Sequence, residues 1–351
     1  MAFPKQRMVA AVMGNGHIGL IKQPVPEVKK GAVLVQVRAS LVSPGTELGG
    51  WPQLLAELQN PKKDFAPRPF GYANAGVVLK AGEGVEDLKA GDRVACMGGG
   101  YALHTDYAVV PHNLCVRLPD GATFEQGAYA HLAATAMNAL RRAQPEFGEY
   151  FSIVGMGLVG QLTAQLLQRN GCYVIGWDTV ESRLKIARKW GVTGVAHVGK
   201  QDEIAVTAAF TEGKGLDGSV FAFGGNGKKA YDQTVLCLKK SPDGHRMGRI
   251  VVVGGVQMEM AWSPANCDVR MAARTGPGYH DEPWEYGPDY PGVFMRWTTK
   301  TNLQLCVRLM CEGSLETDCL TTHRIPLKDV DAGIAKIIAK PDRILGVVFT
   351  M

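Results

Sequence analysis

The sequence predicts an α/β fold in two parts: a small all-β barrel or sandwich, then a doubly wound parallel sheet. Two observations predict it. Up to about residue 122 the chain is rich in Val, Gly and Pro in short extended runs separated by turn residues. From about residue 123 helical periods of roughly 10 to 15 residues alternate with short apolar strands, the rhythm of βαβ units.

The elements follow in order. Extended runs are read at Ala32–Arg38, Gly76–Leu79, Arg93–Ala95 and Tyr107–Val110, with turns at Lys30-Gly31, Ala81-Gly82 and Ala90-Gly91-Asp92. One helix, Gln53–Gln59, interrupts them. In the second part, strands are placed at Tyr150–Val154, Tyr173–Trp177, Gly194–Ala196, Gly218–Phe223 and Arg249–Val253. Leu158, Leu162 and Leu166 recur every four residues on a helix closed by Gly171, and Leu184 and Trp190 lie on one ending before Gly191. Residues 275–297, crowded with Gly, Pro, Tyr and Trp and without a period, read as a long ordered loop. A helix over Asn302–Cys311, an extended Thr321–Pro326, a helix near Val330–Ala339 and a strand Leu345–Thr350 complete the chain.

At 46% hydrophobic and 20% charged residues the chain has a globular composition. Its net charge of +5 is scattered, with no run resembling a nucleic-acid arm, so nucleic acid is not an expected partner. No segment reads as a signal peptide or a bilayer span; a cytoplasmic protein without membrane association is expected. The eight cysteines show no CxxC pair and no zinc-finger spacing, and read as buried free thiols.

Residues 155–160, Gly-Met-Gly-Leu-Val-Gly, form a GxGxxG that follows a strand and opens a helix. Gly155 permits the tight turn, Gly157 lets backbone approach a pyrophosphate, Gly160 lets helix and strand pack closely, and Leu158 and Val159 offer helix-terminal N–H groups. Asp178 ends the next strand 23 residues after Gly155, where a carboxylate accepts the ribose hydroxyls of NAD and repels the 2′-phosphate of NADP. NAD is therefore the expected cofactor. Arg183 is either a contact of the adenosine half or a surface residue. Gly224, Gly254 and Gly255 follow the fourth and fifth strands and are expected to line the cofactor pocket at their carboxyl ends.

The segments Val42-Ser-Pro-Gly-Thr-Glu47, Phe70-Gly-Tyr-Ala-Asn-Ala-Gly76, Ala90-Gly-Asp-Arg-Val94, the turn Gly155–Gly160 and Thr322-His-Arg-Ile-Pro-Leu327 resemble the medium-chain dehydrogenase/reductase superfamily, over nearly the whole chain. The resemblance implies a GroES-like β-barrel catalytic domain over residues 1–122, a Rossmann NAD-binding domain over 123–314 and a C-terminal return to the catalytic domain over 315–351. It also implies Thr135 beside the nicotinamide, although a helix-packing threonine is the alternative.

Zinc-dependent members carry Cys-Gly-Thr/Ser-Asp at the first of these segments and Gly-His-Glu at the second. Here Pro44 stands in place of the cysteine, Tyr72 and Ala73 in place of His-Glu, and His131 near the third ligand position. A catalytic zinc needs three protein ligands, and the structural-zinc lobe has only Cys96 and Cys115 between Val94 and Val116. No metal is expected, and the chain resembles a zinc-free branch that includes bacteriochlorophyllide dehydrogenase-like and polyol or sugar dehydrogenase-like members.

Without a Lewis acid, alcohol oxidation needs a positioned base or a proton relay. The reading assigns His131 as acid/base, Tyr72 as the hydrogen-bond partner of the substrate oxygen and Thr46 as relay. The alternatives are a core histidine bonded to backbone and a packing tyrosine. Glu47, Trp51, Asn74, Arg296 and Trp297 are candidate substrate contacts. Asn74 also reads as a satisfied buried amide, and the aromatic stretch holding Arg296 and Trp297 also reads as a dimer interface.

The expected activity is zinc-independent hydride exchange between NAD and a secondary alcohol or ketone of a polyol, sugar or similar polar ring. A zinc-free ene or quinone reductase using NAD(P)H, a redox-neutral enzyme retaining NAD, and an NAD-binding sensor are the rivals. The expected partners are a small-molecule substrate and further copies of the chain, as a homodimer or homotetramer.

Overall fold

The structure, a computed structural model, describes residues 3–258 and 265–351. The chain divides into two compact units. One holds Met1–Ala134, Thr275–Thr317 and Thr321–Met351; the other holds Thr135–Arg274 and Asp318–Leu320. The 20-residue helix Phe124–Ala143 carries the chain from the first into the second.

The first unit is built on the strand Ala32–Leu41, whose Ala, Val and Leu residues are buried on both faces. It pairs antiparallel with Ala73–Ala81, Tyr107–Pro111 and Gly346–Thr350, while Thr321–Pro326 runs parallel to the last of these. Register shifts between Leu34 and Val35 and between Val37 and Ala39 bend this strand, as a barrel wall requires. The C-terminal residues thus return to the β-rich unit.

A hairpin of Gln6–Val12 and Ile18–Pro24 also belongs to this unit and was not among the predicted strands. Its signal was present: Asn15-Gly16 between two apolar runs, with Gly14 and Gly16 both at positive φ. The apolar core behind it combines Val12, Trp51, Leu54, Phe70, Ile334 and Phe349.

Residues 275–297, expected as a long ordered loop, are not loop throughout. Glu282–Tyr286 form a short helix, and Asn113 Nδ2 donates to the carbonyls of Trp284 at 2.6 Å and Gly287 at 2.9 Å. Trp284 is buried, stacks on Tyr290 and donates from Nε1 to Asp289 at 2.7 Å.

In the second unit a six-stranded parallel sheet runs in the order Gly194–His197, Tyr173–Asp178, Tyr150–Val154, Gly218–Phe221, Met247–Val252 and Asn266–Met271. The first five match the predicted strands within two residues at each end. The sixth escaped the sequence reading because it is an edge strand, half-exposed and polar in alternation, with no apolar run to mark it. All five predicted strands run parallel and point their carboxyl ends to the same edge of the sheet.

Ser152 and Ser219 face each other across adjacent strands, fully buried, with their hydroxyls 2.7 Å apart. Ser152→Ala leaves the partner hydroxyl unsatisfied and is expected to cost about 1–3 kcal/mol in urea denaturation. The double variant Ser152→Ala/Ser219→Ala is expected to cost less than the sum of the two single variants.

Candidate functional site

The glycine turn of the second unit has the geometry of a phosphate cradle. Gly155 sits at φ 94°, and a Cβ there would meet the Ala222 carbonyl oxygen at 2.9 Å. A Cβ on Gly160 would fall 1.9 Å from the Gly155 carbonyl oxygen, so the helix packs this closely on the turn only because Gly160 lacks a side chain. Gly157 differs: nothing lies within 4 Å of its missing Cβ. Its bareness serves no contact within the protein and leaves room for a ligand to approach backbone.

Gly157 is also the N-cap of the helix Leu158–Arg169, and no side chain caps that terminus. The first N–H groups and the helix dipole are therefore available to an anion.

Asp178 is buried at the end of its strand. Its Oδ2 accepts from the Met156 amide at 2.7 Å and its Oδ1 from the Val180 amide at 2.8 Å, which aims the carboxylate at the glycine turn. Oδ1 accepts only this one amide and retains a lone pair for a ribose hydroxyl. Arg183 Nη1 lies 3.5 Å from Asp178 Oδ2, so the two candidate adenosine contacts adjoin. The loops beyond the fourth and fifth strands are tied together, the Gly225 amide donating to the Gly255 carbonyl at 3.1 Å; Gly254 turns the chain at φ 93° and Gly224 is next to this junction. Thr135, half-buried, begins the second unit's share of the long helix. These residues fit a dinucleotide.

In the β-rich unit, Tyr72 and His131 are brought together although 59 positions apart in sequence. Their ring centroids lie 4.3 Å from each other, and His131 Nδ1–H donates to the Tyr72 carbonyl at 2.9 Å. A carbonyl only accepts, so this bond fixes the proton on Nδ1 and leaves Nε2 as the ring's acceptor. Burial pushes the imidazole down to about 4, the backbone bond opposing this only in part. His131 is thus neutral at physiological pH.

The Tyr72 phenol is held above its ordinary value, first by burial and then by the charge of Glu47, with hydrogen bonds to the Ser43 and Thr46 side chains pulling it partly back. It is a neutral donor. Tyr279, from the aromatic stretch, stands 6.2 Å from the His131 ring, and its hydroxyl accepts from the Gly99 amide at 2.7 Å.

The candidate substrate residues divide. Glu47 is buried beside Tyr72, while Thr46 is exposed, and both line a cleft of about 370 Å³ with Gln53, Glu57, Lys62 and Arg68. Trp51 corrects the sequence reading: its ring is packed in the apolar core, 3% exposed, with Leu54 and Phe70. Asn74 is fully buried and donates to the Leu103 carbonyl at 2.9 Å, which is its alternative role as a structural amide. Arg296 lies 4.7 Å from the ring of Trp297, and both are exposed.

Sequence reasoning missed His104, Ser40 and Ser43. His104 is fully buried, with Nε2 3.2 Å from Glu47 Oε2 and Nδ1 2.8 Å from the Ser40 hydroxyl. Its partner is 57 positions away on another element, so no local spacing announces it. Among the described residues, no group of three or more His, Cys, Asp and Glu side chains is placed to hold a metal ion, and no helix is long and apolar enough to cross a membrane.

Two family models match the chain: the alcohol dehydrogenase GroES-like domain over residues 29–120 and the zinc-binding dehydrogenase domain over residues 159–276. An uncharacterised zinc-type alcohol dehydrogenase-like protein of Escherichia coli is 24% identical, over 95% of this chain and 96% of its own length. Sorbitol dehydrogenase of Mus musculus is 27% identical, over 92% of this chain and 90% of its own. Among solved structures, an Escherichia coli oxidoreductase/dehydrogenase of unknown specificity superposes with a TM-score of 0.77 at 21% identity, covering 98% of this chain and 99% of that one. With a GroES-like barrel matched in one unit, and in the other a dinucleotide cradle on a parallel sheet, the chain belongs to the medium-chain dehydrogenase/reductase superfamily and is a nicotinamide-dependent dehydrogenase or reductase.

Proposed function

We propose that this enzyme exchanges a hydride between NAD and a secondary alcohol or ketone of a polyol, sugar or similar polar ring, and handles the accompanying proton with side chains rather than with zinc. The observation that carries the reading is what occupies the family's ligand positions. Pro44 has no donor atom there, Tyr72 is a phenol held protonated, and His131 has its Nδ1 committed to a backbone carbonyl. One imidazole nitrogen does not make the three protein ligands that a catalytic zinc requires.

The nicotinamide, when bound, supplies or accepts the hydride. The chain's own residues bind and orient. Tyr72 donates its phenolic hydrogen bond to the substrate oxygen, which polarises a carbonyl in the reductive direction. His131 changes role relative to the sequence reading: an imidazole pushed down to about 4 is a poor store for a proton at neutral pH, and serves as an acceptor that orients the substrate hydroxyl. The exposed Thr46, whose side chain helps pull the phenol's value back, is the residue that passes the proton on. Sorbitol dehydrogenase is among the relatives, which favours a polyhydroxylated substrate.

The direct test follows NADH formation from NAD with a panel of polyols, sugars and simple primary alcohols. Turnover on polyols or sugars well above that on primary alcohols is expected. Activity confined to enone or quinone reduction would refute the reading.

Asp178 favours NAD by hydrogen-bonding the ribose and repelling a 2′-phosphate. Fluorescence titration is expected to show NADH bound at least about tenfold more tightly than NADPH, some 1.4 kcal/mol, and Asp178→Ala to narrow that gap. Equal affinities in the unaltered protein would contradict it.

His131 also predicts a pH dependence of stability. Its folded value of about 4 lies below the ordinary 6.5 of the unfolded chain, so between these values the unfolded state binds a proton that the folded state refuses. Its contribution is complete above the unfolded value and is lost as pH falls toward the folded one, by about 1.4 kcal/mol per pH unit. His131→Asn is expected to flatten this loss in urea denaturation series.

A further inference from the structure

We propose that Tyr279 is a specificity-determining residue, whose ring walls the substrate site beside His131 and selects an alcohol carried on a ring over one carried on an open chain. The proposal rests on the oxidoreductase reading above and narrows its substrate class.

Tyr279 and Tyr72 are held by the same turn. The Tyr279 hydroxyl accepts from the Gly99 amide at 2.7 Å, and the neighbouring Gly98 amide donates to the Tyr72 carbonyl at 3.0 Å. Two successive amides therefore fix both residues relative to each other. His131 donates to the same Tyr72 carbonyl, and its ring lies 4.3 Å from that of Tyr72 and 6.2 Å from that of Tyr279. The imidazole is buried, while both tyrosines stay half-buried and keep part of their surface open.

The backbone around Tyr279 is shaped to bring its ring there. A Cβ on Gly278 would fall 2.6 Å from the ring of Trp284, so the chain passes directly over that buried indole. His280 takes φ 72°, a left-handed conformation that few residues with side chains adopt. Its amide donates to the buried carboxylate of Glu285 at 2.8 Å, and its imidazole stacks on the Tyr279 ring with centroids 3.9 Å apart. On the other side of Gly278 the Thr299 amide donates to the Pro277 carbonyl at 2.7 Å. A backbone held against its preference, with anchors before and after it, points to a side chain whose direction matters.

The chemistry of the neighbourhood sets what such a wall selects. In the proposed reaction the substrate oxygen lies at the Tyr72 phenol and at His131 Nε2, so the carbon frame behind it meets a second aromatic ring. An aromatic face is flat and apolar. A polyhydroxylated ring turns its C–H side to that face and its hydroxyls outward, and it arrives with its torsions already fixed. An open-chain polyol loses rotation about each C–C bond to lie flat in the same place. Tyr279 thus favours the ring.

A purely structural role is the competing account, in which the phenol only pins the glycine turn. Two variants separate them: Tyr279→Phe keeps the ring and loses the bond to Gly99, whereas Tyr279→Ala loses both. The first readout needs no turnover. Binding of myo-inositol, D-glucose and D-sorbitol to the NADH-loaded protein is followed by saturation-transfer NMR. The two cyclic compounds are expected to bind about five- to tenfold more weakly to Tyr279→Ala, and within about twofold of the unaltered protein to Tyr279→Phe. D-Sorbitol is expected to change less than either.

The second readout is the ratio of kcat/KM for cyclic over open-chain alcohols with NAD. It is expected to exceed one in the unaltered protein and to fall about five- to tenfold in Tyr279→Ala. A general folding defect lowers both rates and leaves the ratio where it was, so an unmoved ratio overturns the proposal. So does failure of the unaltered protein to bind either cyclic compound, or a loss in Tyr279→Phe as large as in Tyr279→Ala. Weakened ring binding by Tyr279→Ala in a protein that turns over no alcohol supports the wall and counts against the hydride-transfer reading instead.

Discussion

The carbonyl oxygen of Tyr72 is the fixed point of the β-rich unit's chemistry. It accepts from the Gly98 amide at 3.0 Å and from His131 Nδ1–H at 2.9 Å. The first bond holds the loop before the strand Ala73–Ala81 against the loop beyond Arg93–Met97. The second sets the histidine's tautomer and brings its ring onto the ring of Tyr72. A histidine in that state is neutral, buried and oriented, which is a property of an acceptor and not of a proton store. The tyrosine, desolvated and beside a buried carboxylate, stays protonated and donates. From one backbone atom the roles of two side chains follow.

Charge in this neighbourhood is concentrated on Glu47. It is bonded to the Ser43 amide and to His104, and it raises the phenol while the hydroxyls of Ser43 and Thr46 lower it. Burial and Glu47 oppose the two hydroxyls at one phenol, and burial prevails. In the other unit the design is steric. Gly155 and Gly160 are bare because protein atoms fill the space a side chain would take, and Gly157 is bare toward open space. Asp178 is oriented by two amides at the same turn.

The sheet of the second unit was legible in the sequence because buried parallel strands are continuous apolar runs, and the glycine turn was legible because its three roles fall at fixed spacing. Asn266–Met271 was not, since an edge strand half-open to solvent carries no such run. Tyr72, His131 and Thr46 were found through resemblance, which supplies positions but not environments. Burial altered the meaning of His131, and packing removed Trp51 and Asn74 from the open cleft. His104 was invisible for a plainer reason. Its significance lies in a contact with Glu47 made only when distant segments are brought together, and a lone histidine in Leu103-His-Thr-Asp-Tyr107 has no local partner to betray it.

In the proposed reaction the proton accompanying hydride transfer is handled by side chains alone. Elemental analysis of the purified enzyme, paired with turnover before and after exhaustive dialysis against a chelator, tests it most directly. Less than stoichiometric zinc and an unchanged rate are expected. One tightly held zinc per chain, with activity that disappears on its removal and returns when it is restored, would contradict it.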